Sequence, residues 1–195
     1  TEAGAQFVSD DGSKAEGYVN SDASVKAAEY LNEFIKNGYA NLDPVKDEFL
    51  NGKAATLLGG SWNIADLEKS NLNWGVSYFP IADDGKAVSP TGDWAAAITK
   101  DSKNPDAAGK FLQWAMNSDN IASYASAVAK PASRTSSYDK MEGWDSGARA
   151  LMKWQLQNTG VSRPRTPSYS VLSTDFSTAM LNIFSGSDAK EELDN

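Results

Sequence analysis

Residues 49–62 read Phe49-Leu50-Asn51-Gly52-Lys53-Ala54-Ala55-Thr56-Leu57-Leu58-Gly59-Gly60-Ser61-Trp62. The middle of this stretch, 54–58, is apolar without alternation, which is typical of a strand buried on both faces of a sheet. Asn51-Gly52 is a common helix end, and a short helix is predicted directly after the stretch, at 63–69. A buried strand between two helices predicts an α/β fold.

The rest of the chain alternates helical and extended segments. Val25, Ala28, Leu31 and Ile35 recur at helical spacing and predict a helix at 22–37. Other helices are predicted from Asp43-Pro44 to residue 51, from Asn104-Pro105 onward, at 118–127, 144–158 and 168–184, and as a first turn after Asp188. Strands are predicted at 74–80 and 94–98, a turn at 83–86, and an extended segment at 163–167. This alternation favours an α/β fold whose sheets are largely covered.

Composition is that of an ordinary globular protein: of 195 residues, 41% are hydrophobic and 23% are charged. The chain carries 18 basic and 26 acidic residues and a net charge of −8. Lysine and arginine form no cluster, so a nucleic-acid backbone would be repelled and no nucleic-acid partner is expected.

Histidine and cysteine are both absent from the sequence. Their absence removes most transition-metal sites, cysteine nucleophiles and any Ser-His-Asp triad. A carboxylate pair or a Ser-Lys pair is the hydrolytic chemistry that remains. We therefore expect no metal, no cofactor and no enzymatic activity.

Four further motifs follow residues 49–62 along the chain. They are Trp74-Gly75-Val76 through Phe79-Pro80, Thr91-Gly92-Asp93-Trp94 through Ile98, Asn104-Pro105-Asp106-Ala107-Ala108, and Arg163-Pro164-Arg165-Thr166-Pro167-Ser168-Tyr169. Together and in this order, the five motifs resemble the C-terminal half of the extracellular solute-binding proteins for sugars, the group that includes maltose-binding protein. The resemblance covers nearly all of the chain.

This resemblance implies a type II periplasmic-binding-protein-like fold, with two α/β lobes around a sugar cleft. Residues 1–72 and 131–195 are then expected in the C-terminal lobe, and 73–130 form a segment that packs on the N-terminal lobe. The missing N-terminal half of the same protein is an expected partner, because it would supply the other side of the cleft.

Trp62 is the first candidate for ligand binding. It follows Gly59, Gly60 and Ser61 at the end of the predicted buried strand, where α/β proteins present ligand residues. An indole offers a flat face for the C–H side of a sugar ring and an N–H donor, and the glycines let a ligand approach the backbone. The alternative is a tryptophan packed under a helix terminus.

Asp93 and Trp94 are the second candidate pair. A carboxylate accepts hydrogen bonds from sugar hydroxyls, and an adjacent aromatic ring can stack on the sugar. The alternative is an aspartate of the turn beside a core tryptophan.

Three more candidates come from the resemblance. Arg134 lies in a loop that enters the cleft in the family, where its guanidinium could hold hydroxyl or ring oxygens; the alternative is a solvated loop arginine. Arg165 and Tyr169 lie at the connection into the last long helix, near the hinge in the family, and Tyr169 has a capping role as its alternative. Arg163 is interpreted as structural.

The resemblance predicts a binding protein, located outside the cytoplasm, that captures a mono- or oligosaccharide and delivers it to the permease subunits of an ABC importer. Two alternatives stay open. One is a binder of a non-sugar solute such as a polyamine, a peptide or phosphate. The other is a glycosidase that uses two carboxylates, such as Asp93 and Asp66, held roughly 5–10 Å apart.

Overall fold

The computed structural model describes residues 4–43, 47–81 and 87–195. Seven α-helices lie in these ranges: α1 Asp22–Lys36, α2 Ile64–Lys69, α3 Pro105–Ala115, α4 Ser118–Ala127, α5 Gly147–Asn158, α6 Tyr169–Phe184 and α7 Ala189–Asp194. Two 3₁₀ helices span Ser61–Asn63 and Thr135–Lys140, and two short strands, β1 Ser89–Thr91 and β2 Gly160–Ser162, pair in a two-stranded sheet. None of the helices described has the length and apolar character needed to span a bilayer.

The chain divides into two compact units. Unit 1 contains Thr1–Lys46, Phe79–Pro90 and Val161–Asn195, and unit 2 contains Asp47–Tyr78 and Thr91–Gly160. Of the four points at which the chain passes from one unit to the other, one lies within β1 and one within β2. The predicted lobe boundaries after residues 72 and 130 refer to the lobes of a longer protein, and they stay a prediction.

Unit 1 is built on α1, α6 and α7. Ser21 caps α1 by accepting the backbone N–H of Ser24, and Asp188 caps α7 in the same way with Glu191. The buried face of each helix supplies apolar side chains to one core: Ala28, Ala179, Met180, Ile183, Ala189 and Leu193. Burial of these side chains stabilises the three helices against one another.

Unit 2 has its core between α4 and the segment that follows it. Trp144, whose role the sequence leaves open, is 2% exposed and meets the Tyr138 ring at 5.6 Å. The other buried apolar members are Ile121, Ala122, Ala125, Ala132 and Met141. Ser137 is fully buried, and its hydroxyl donates to the Ser118 carbonyl at 2.9 Å, which ties the second 3₁₀ helix to the start of α4.

The helix predictions are mostly confirmed, since α1, α2, α4 and α6 begin and end within about two residues of their predicted bounds. Pro105 opens α3 and Asp188 precedes a real helix, as predicted. The helix predicted from Asp43-Pro44 to residue 51 includes 44–46, which lie outside the described ranges, and the residues described after them, 47–52, form turns instead. The turn predicted at 83–86 also lies outside those ranges.

The three strand predictions, at 54–58, 74–80 and 94–98, are wrong for this structure. These segments carry no ladder of hydrogen bonds, and among the described residues only β1 and β2 pair. Residues 54–58 are also uncovered, with Leu57 47% and Leu58 71% exposed. A strand needs a hydrogen-bonded neighbour, and an apolar sequence by itself does not supply one.

Large apolar side chains are exposed in unit 2. Trp114 and Trp154 lie on helices α3 and α5 and are 61% and 45% exposed. Trp154 does meet the Tyr78 ring, with the centroids 4.9 Å apart. Phe111 lies beside Trp114 at 5.8 Å and is 60% exposed. Tyr78, Phe111, Trp114 and Trp154 therefore present apolar surface that the described residues of unit 2 do not cover.

Candidate functional site

The backbone around Trp62 is fixed by a turn that Gly60 and Asn63 close together. The Gly60 N–H donates to the Asn63 side-chain carbonyl oxygen at 3.1 Å, and the Asn63 N–H donates to the Gly60 carbonyl at 3.0 Å. α2 begins at the next residue and is anchored by Ile64 and Leu67, which are 1% and 7% exposed. Trp62 therefore projects from a short helical turn that has a buried base.

The Trp62 ring folds back onto Gly60. A Cβ atom built on Gly60 would lie 2.2 Å from Cζ3, 2.3 Å from Cη2 and 2.6 Å from Cε3 of the indole. The Trp62 side chain is nevertheless 65% exposed. The alternative of a tryptophan packed beneath a helix terminus does not describe this residue. An aromatic surface resting on a glycine and open to solvent is suited to stacking on a ligand.

An ion pair holds α2 to α5. The Arg149 guanidinium donates to both carboxylate oxygens of Glu68, through Nη1 to Oε1 and through Nη2 to Oε2 at 2.8 Å. This bidentate contact lowers the pKa of the Glu68 carboxyl, mainly through the hydrogen bond and to a smaller extent through the charge of Arg149. The sequence does not reveal the pair, because its members are 81 residues apart.

Asp93 and Trp94 lie in an exposed segment after β1. The Trp94 side chain is 92% exposed, so it is not the core residue of the alternative interpretation. The Asp93 carboxylate accepts the Trp94 N–H at 2.8 Å and the Lys130 ammonium at 3.2 Å. The Trp94 N–H contributes most to lowering the pKa of Asp93, and Lys130 lowers it further, which keeps Asp93 ionised.

Arg134 follows Lys130 by four residues and begins the second 3₁₀ helix. Its carbonyl accepts the Ser137 N–H at 3.1 Å, which places Arg134 at the N-cap. The residue is exposed, and within the described ranges its guanidinium forms no hydrogen bond or ion pair. Arg134 is therefore available as a donor, as is the half-buried Ser61 hydroxyl beside Trp62.

Arg165 and Tyr169 belong to unit 1, whereas the other candidates belong to unit 2. Tyr169 is half-buried at the start of α6, and the Arg163 guanidinium lies 5.9 Å from the centre of its ring, a cation–π contact. The Arg165 carbonyl lies where a side chain on Gly12 would stand, 2.2 Å from a Cβ built there. Gly12 also has a φ of 72°, so both its conformation and its surroundings favour glycine.

The structure thus brings the unit 2 candidates together in two groups. Trp62 lies on Gly60, and Asp93 lies with Trp94 and Lys130. No hydrogen bond, ion pair or ring contact links the two groups within the described part of the chain. Among the described residues no cluster of three or more carboxylates could hold a metal ion.

The family model for bacterial extracellular solute-binding proteins matches residues 2–151. The chain belongs to this family. As the resemblance implies, this solute-binding protein is similar to sugar-binding proteins.

Two curated relatives come from Bacillus subtilis (strain 168). The maltodextrin-binding protein MdxE is 30% identical over 112 residues, which are 52% of this chain and 27% of the relative. The galactooligosaccharide-binding protein is 24% identical over 187 residues, which are 90% of this chain and 44% of the relative. In these comparisons the solute-binding protein spans less than half the length of either relative.

Solved structures of sugar-binding proteins share the fold. The maltose-binding periplasmic protein MalE of Listeria monocytogenes, in complex with maltose, has a TM-score of 0.79 at 22% identity and covers 99% of this chain and 53% of its own. The cyclic alpha-maltosyl-1,6-maltose binding protein of Arthrobacter globiformis has a TM-score of 0.78 at 21% identity, with 99% and 50% covered. The predicted periplasmic-binding-protein-like fold is confirmed, and the chain corresponds to about half of each structure.

Proposed function

We propose that this solute-binding protein binds a carbohydrate outside the cytoplasm and delivers it to the permease subunits of an ABC importer. Membership of the family and the sugar ligands named for its relatives support this assignment. The ligand we propose is a neutral mono- or oligosaccharide.

The observation that carries the proposal is the Trp62 indole, which is 65% exposed although a turn and a buried helix base fix its backbone. Exposing an indole to water is unfavourable at about 25 cal/mol per Å² of apolar surface. A sugar ring laid on the indole would remove part of this surface from water and could accept a hydrogen bond from the indole N–H. Ser61 and Gly60 would line the backbone side of the same site.

The polar part of the proposed site is formed by Asp93, Trp94 and Arg134. Asp93 supplies an ionised acceptor, Arg134 supplies donors with no other partner among the described residues, and Trp94 supplies a second exposed indole. Acceptors, donors and aromatic faces are the groups that recognise a ring bearing hydroxyls. Arg165 and Tyr169, which the resemblance also names, are proposed as further sugar-binding residues.

Transport by such a protein requires two states. In the proposed mechanism the lobes close on the sugar, because stacking and hydrogen bonds to hydroxyls favour the closed form, and the importer recognises that form. We place the second side of the cleft in a part of the protein outside this sequence.

The lowered pKa of Asp93 does not fit the general-acid role in the glycosidase alternative. A general acid in a glycosidase needs a raised pKa. The neighbouring Trp94 N–H and the Lys130 ammonium instead lower the pKa of Asp93. Asp93 is thus a better acceptor of hydroxyl hydrogen bonds than a proton donor.

Calorimetric titration of the intact protein with maltose, maltotetraose and a galactooligosaccharide tests the proposal. Substituting Trp62→Ala should weaken binding of the preferred sugar by about 1–3 kcal/mol and leave the melting temperature nearly unchanged. Trp114→Ala is a matched control, because Trp114 is 61% exposed and lies outside the proposed site. Absence of heat with all three sugars, or equal losses in both variants, would contradict the proposal.

A further inference from the structure

Lys130 is a charged residue beside the proposed site. It is not among the site residues predicted from the sequence. Its ammonium lies 3.2 Å from Asp93 Oδ1, and its side chain is 26% exposed, compared with 54% for Asp93. The partly buried lysine therefore reaches a more exposed carboxylate. Both residues belong to unit 2 and are separated by 37 positions in the sequence.

The backbone before Lys130 adopts an uncommon conformation. Ala129 has a φ of 52°, in the left-handed region that residues other than glycine seldom occupy. The Lys130 N–H donates to the Ala125 carbonyl at 2.9 Å, which closes the end of α4 around the left-handed residue. The backbone of Lys130 is thus fixed at the end of α4, although its side chain is long.

The Asp93–Lys130 pair has capacity for further hydrogen bonds. A carboxylate offers about four acceptor positions and an ammonium offers three donors. The contacts with Trp94 and Lys130 use two of the acceptor positions on Asp93 and one of the Lys130 donors. Two adjacent sugar hydroxyls could therefore donate to Asp93 and accept from Lys130, with a ring face on the exposed Trp94.

The same pair is poorly suited to a cationic ligand. An amine can only donate, so it would compete with Lys130 for Asp93 and would lie next to a like charge. Asp93 is the acidic residue that would support a polyamine ligand at this site, and Lys130 already neutralises it.

We propose that Lys130 determines ligand specificity at this site, by donating a hydrogen bond to a sugar hydroxyl and by excluding polyamines from Asp93. This inference rests on the proposed sugar-binding function and adds a residue and a selectivity to it. Lys130 contacts the ligand directly in this proposal, and Asp93 is its partner.

The test compares Lys130→Met, Lys130→Arg and wild type by calorimetry on the intact protein, with maltose, maltotetraose, a galactooligosaccharide and spermidine as probes. Lys130→Met keeps much of the apolar stem and removes the charge, and Lys130→Arg keeps the charge. Lys140→Met is the matched control, because Lys140 forms its ion pair with Asp119 and not with Asp93. Melting temperatures confirm that each variant folds.

We expect Lys130→Met to weaken sugar binding by about tenfold, as for loss of one charge-assisted hydrogen bond, and to bind spermidine where wild type does not. Lys130→Arg should keep sugar binding within about threefold and should not bind spermidine. If wild type binds sugar and Lys130→Met has the same affinities for sugar and spermidine as wild type, the proposed role of Lys130 is wrong. The sugar-binding proposal would then still stand. A wild type that binds none of the three sugars would overturn the proposed function, and the role of Lys130 with it. If Lys130→Met does not fold, loss of sugar binding in Asp93→Asn supports the pair, and retention overturns it.

Discussion

The six-membered ring of Trp62 lies against the Cα of Gly60, so that a methyl group at Gly60 would come within 2.2 Å of ring atom Cζ3. Gly60 and Trp62, two positions apart, thus pack together. The glycine supports the indole and leaves much of it exposed to solvent. A side chain at position 60 cannot coexist with this position of the ring.

Substitution Gly60→Ala should therefore displace the Trp62 ring, since the ring is the more movable of the two groups. We expect a change in tryptophan fluorescence and a loss of sugar affinity of about tenfold, with a change in stability below about 1 kcal/mol. Gly75→Ala is the control, because a Cβ built on Gly75 meets nothing within 4 Å. Changed fluorescence with unchanged affinity in Gly60→Ala would show that the ring position is irrelevant to binding, and unchanged fluorescence would show that the ring does not lie against Gly60.

Substitution Ala129→Gly should stabilise the protein. The left-handed conformation costs an alanine about 1–2 kcal/mol, and glycine relieves this strain. Glycine also makes the unfolded chain more flexible, which offsets about 0.4–1 kcal/mol of the stabilisation. We expect a net increase of about 0.5–1 kcal/mol in the free energy of unfolding, measured by denaturant titration. The same replacement inside a helix, Ala27→Gly in α1, should have the opposite sign and cost about 1 kcal/mol. Destabilisation by Ala129→Gly would show that α4 does not end as described.

The Glu68–Arg149 pair should contribute to the pH dependence of stability. Arg149 lowers the folded-state pKa of Glu68 below its ordinary value near 4.5. The contribution is therefore present above that value and is lost as the pH falls through the folded-state pKa. Because Glu68 is 43% exposed, the pair should supply no more than about 1 kcal/mol.

Thermal unfolding of wild type and Glu68→Gln at pH 7 and pH 3 measures this contribution. The variant should be less stable at pH 7, and the difference should shrink at pH 3. A difference that is equal at both values would mean that the charge of Glu68 adds no stability to the folded protein.

The 195-residue chain, prepared by itself, should associate or bind an apolar dye. Several large apolar side chains of unit 2 are exposed, among them Phe111 at 60%, Trp114 at 61% and Tyr78 at 51%. Burying them at ~25 cal/mol per Å² favours association with a second copy or with the remainder of the protein.

Light scattering together with dye fluorescence on the isolated chain tests this expectation. A monodisperse monomer that binds no dye would show that these residues form a self-sufficient domain. The predicted division of 1–72, 73–130 and 131–195 between two lobes would then have to be withdrawn. The sugar-binding proposal would remain, because it rests on Trp62 and its surroundings.

The amino-acid sequence by itself determined most of the helices and the family. Ser21 and Asp188 cap their helices through contacts with residues three positions away, and Pro105 fixes the first turn of α3 through its own ring. Local geometry of this kind is encoded within a few residues, so periodicity and capping patterns predict it. The five ordered motifs likewise point to the family that the match over 2–151 establishes.

Only the tertiary structure decided which apolar and charged residues are covered or paired. The apolar run at 54–58 resembles a buried strand, yet Leu58 is exposed, because burial depends on neighbouring segments that the run does not specify. Lys130 reaches Asp93 across 37 positions, and Arg149 reaches Glu68 across 81. Such contacts depend on how the whole chain is folded back on itself. For that physical reason the sequence pointed to Trp62 and Asp93, and the structure was needed to find Lys130 beside Asp93.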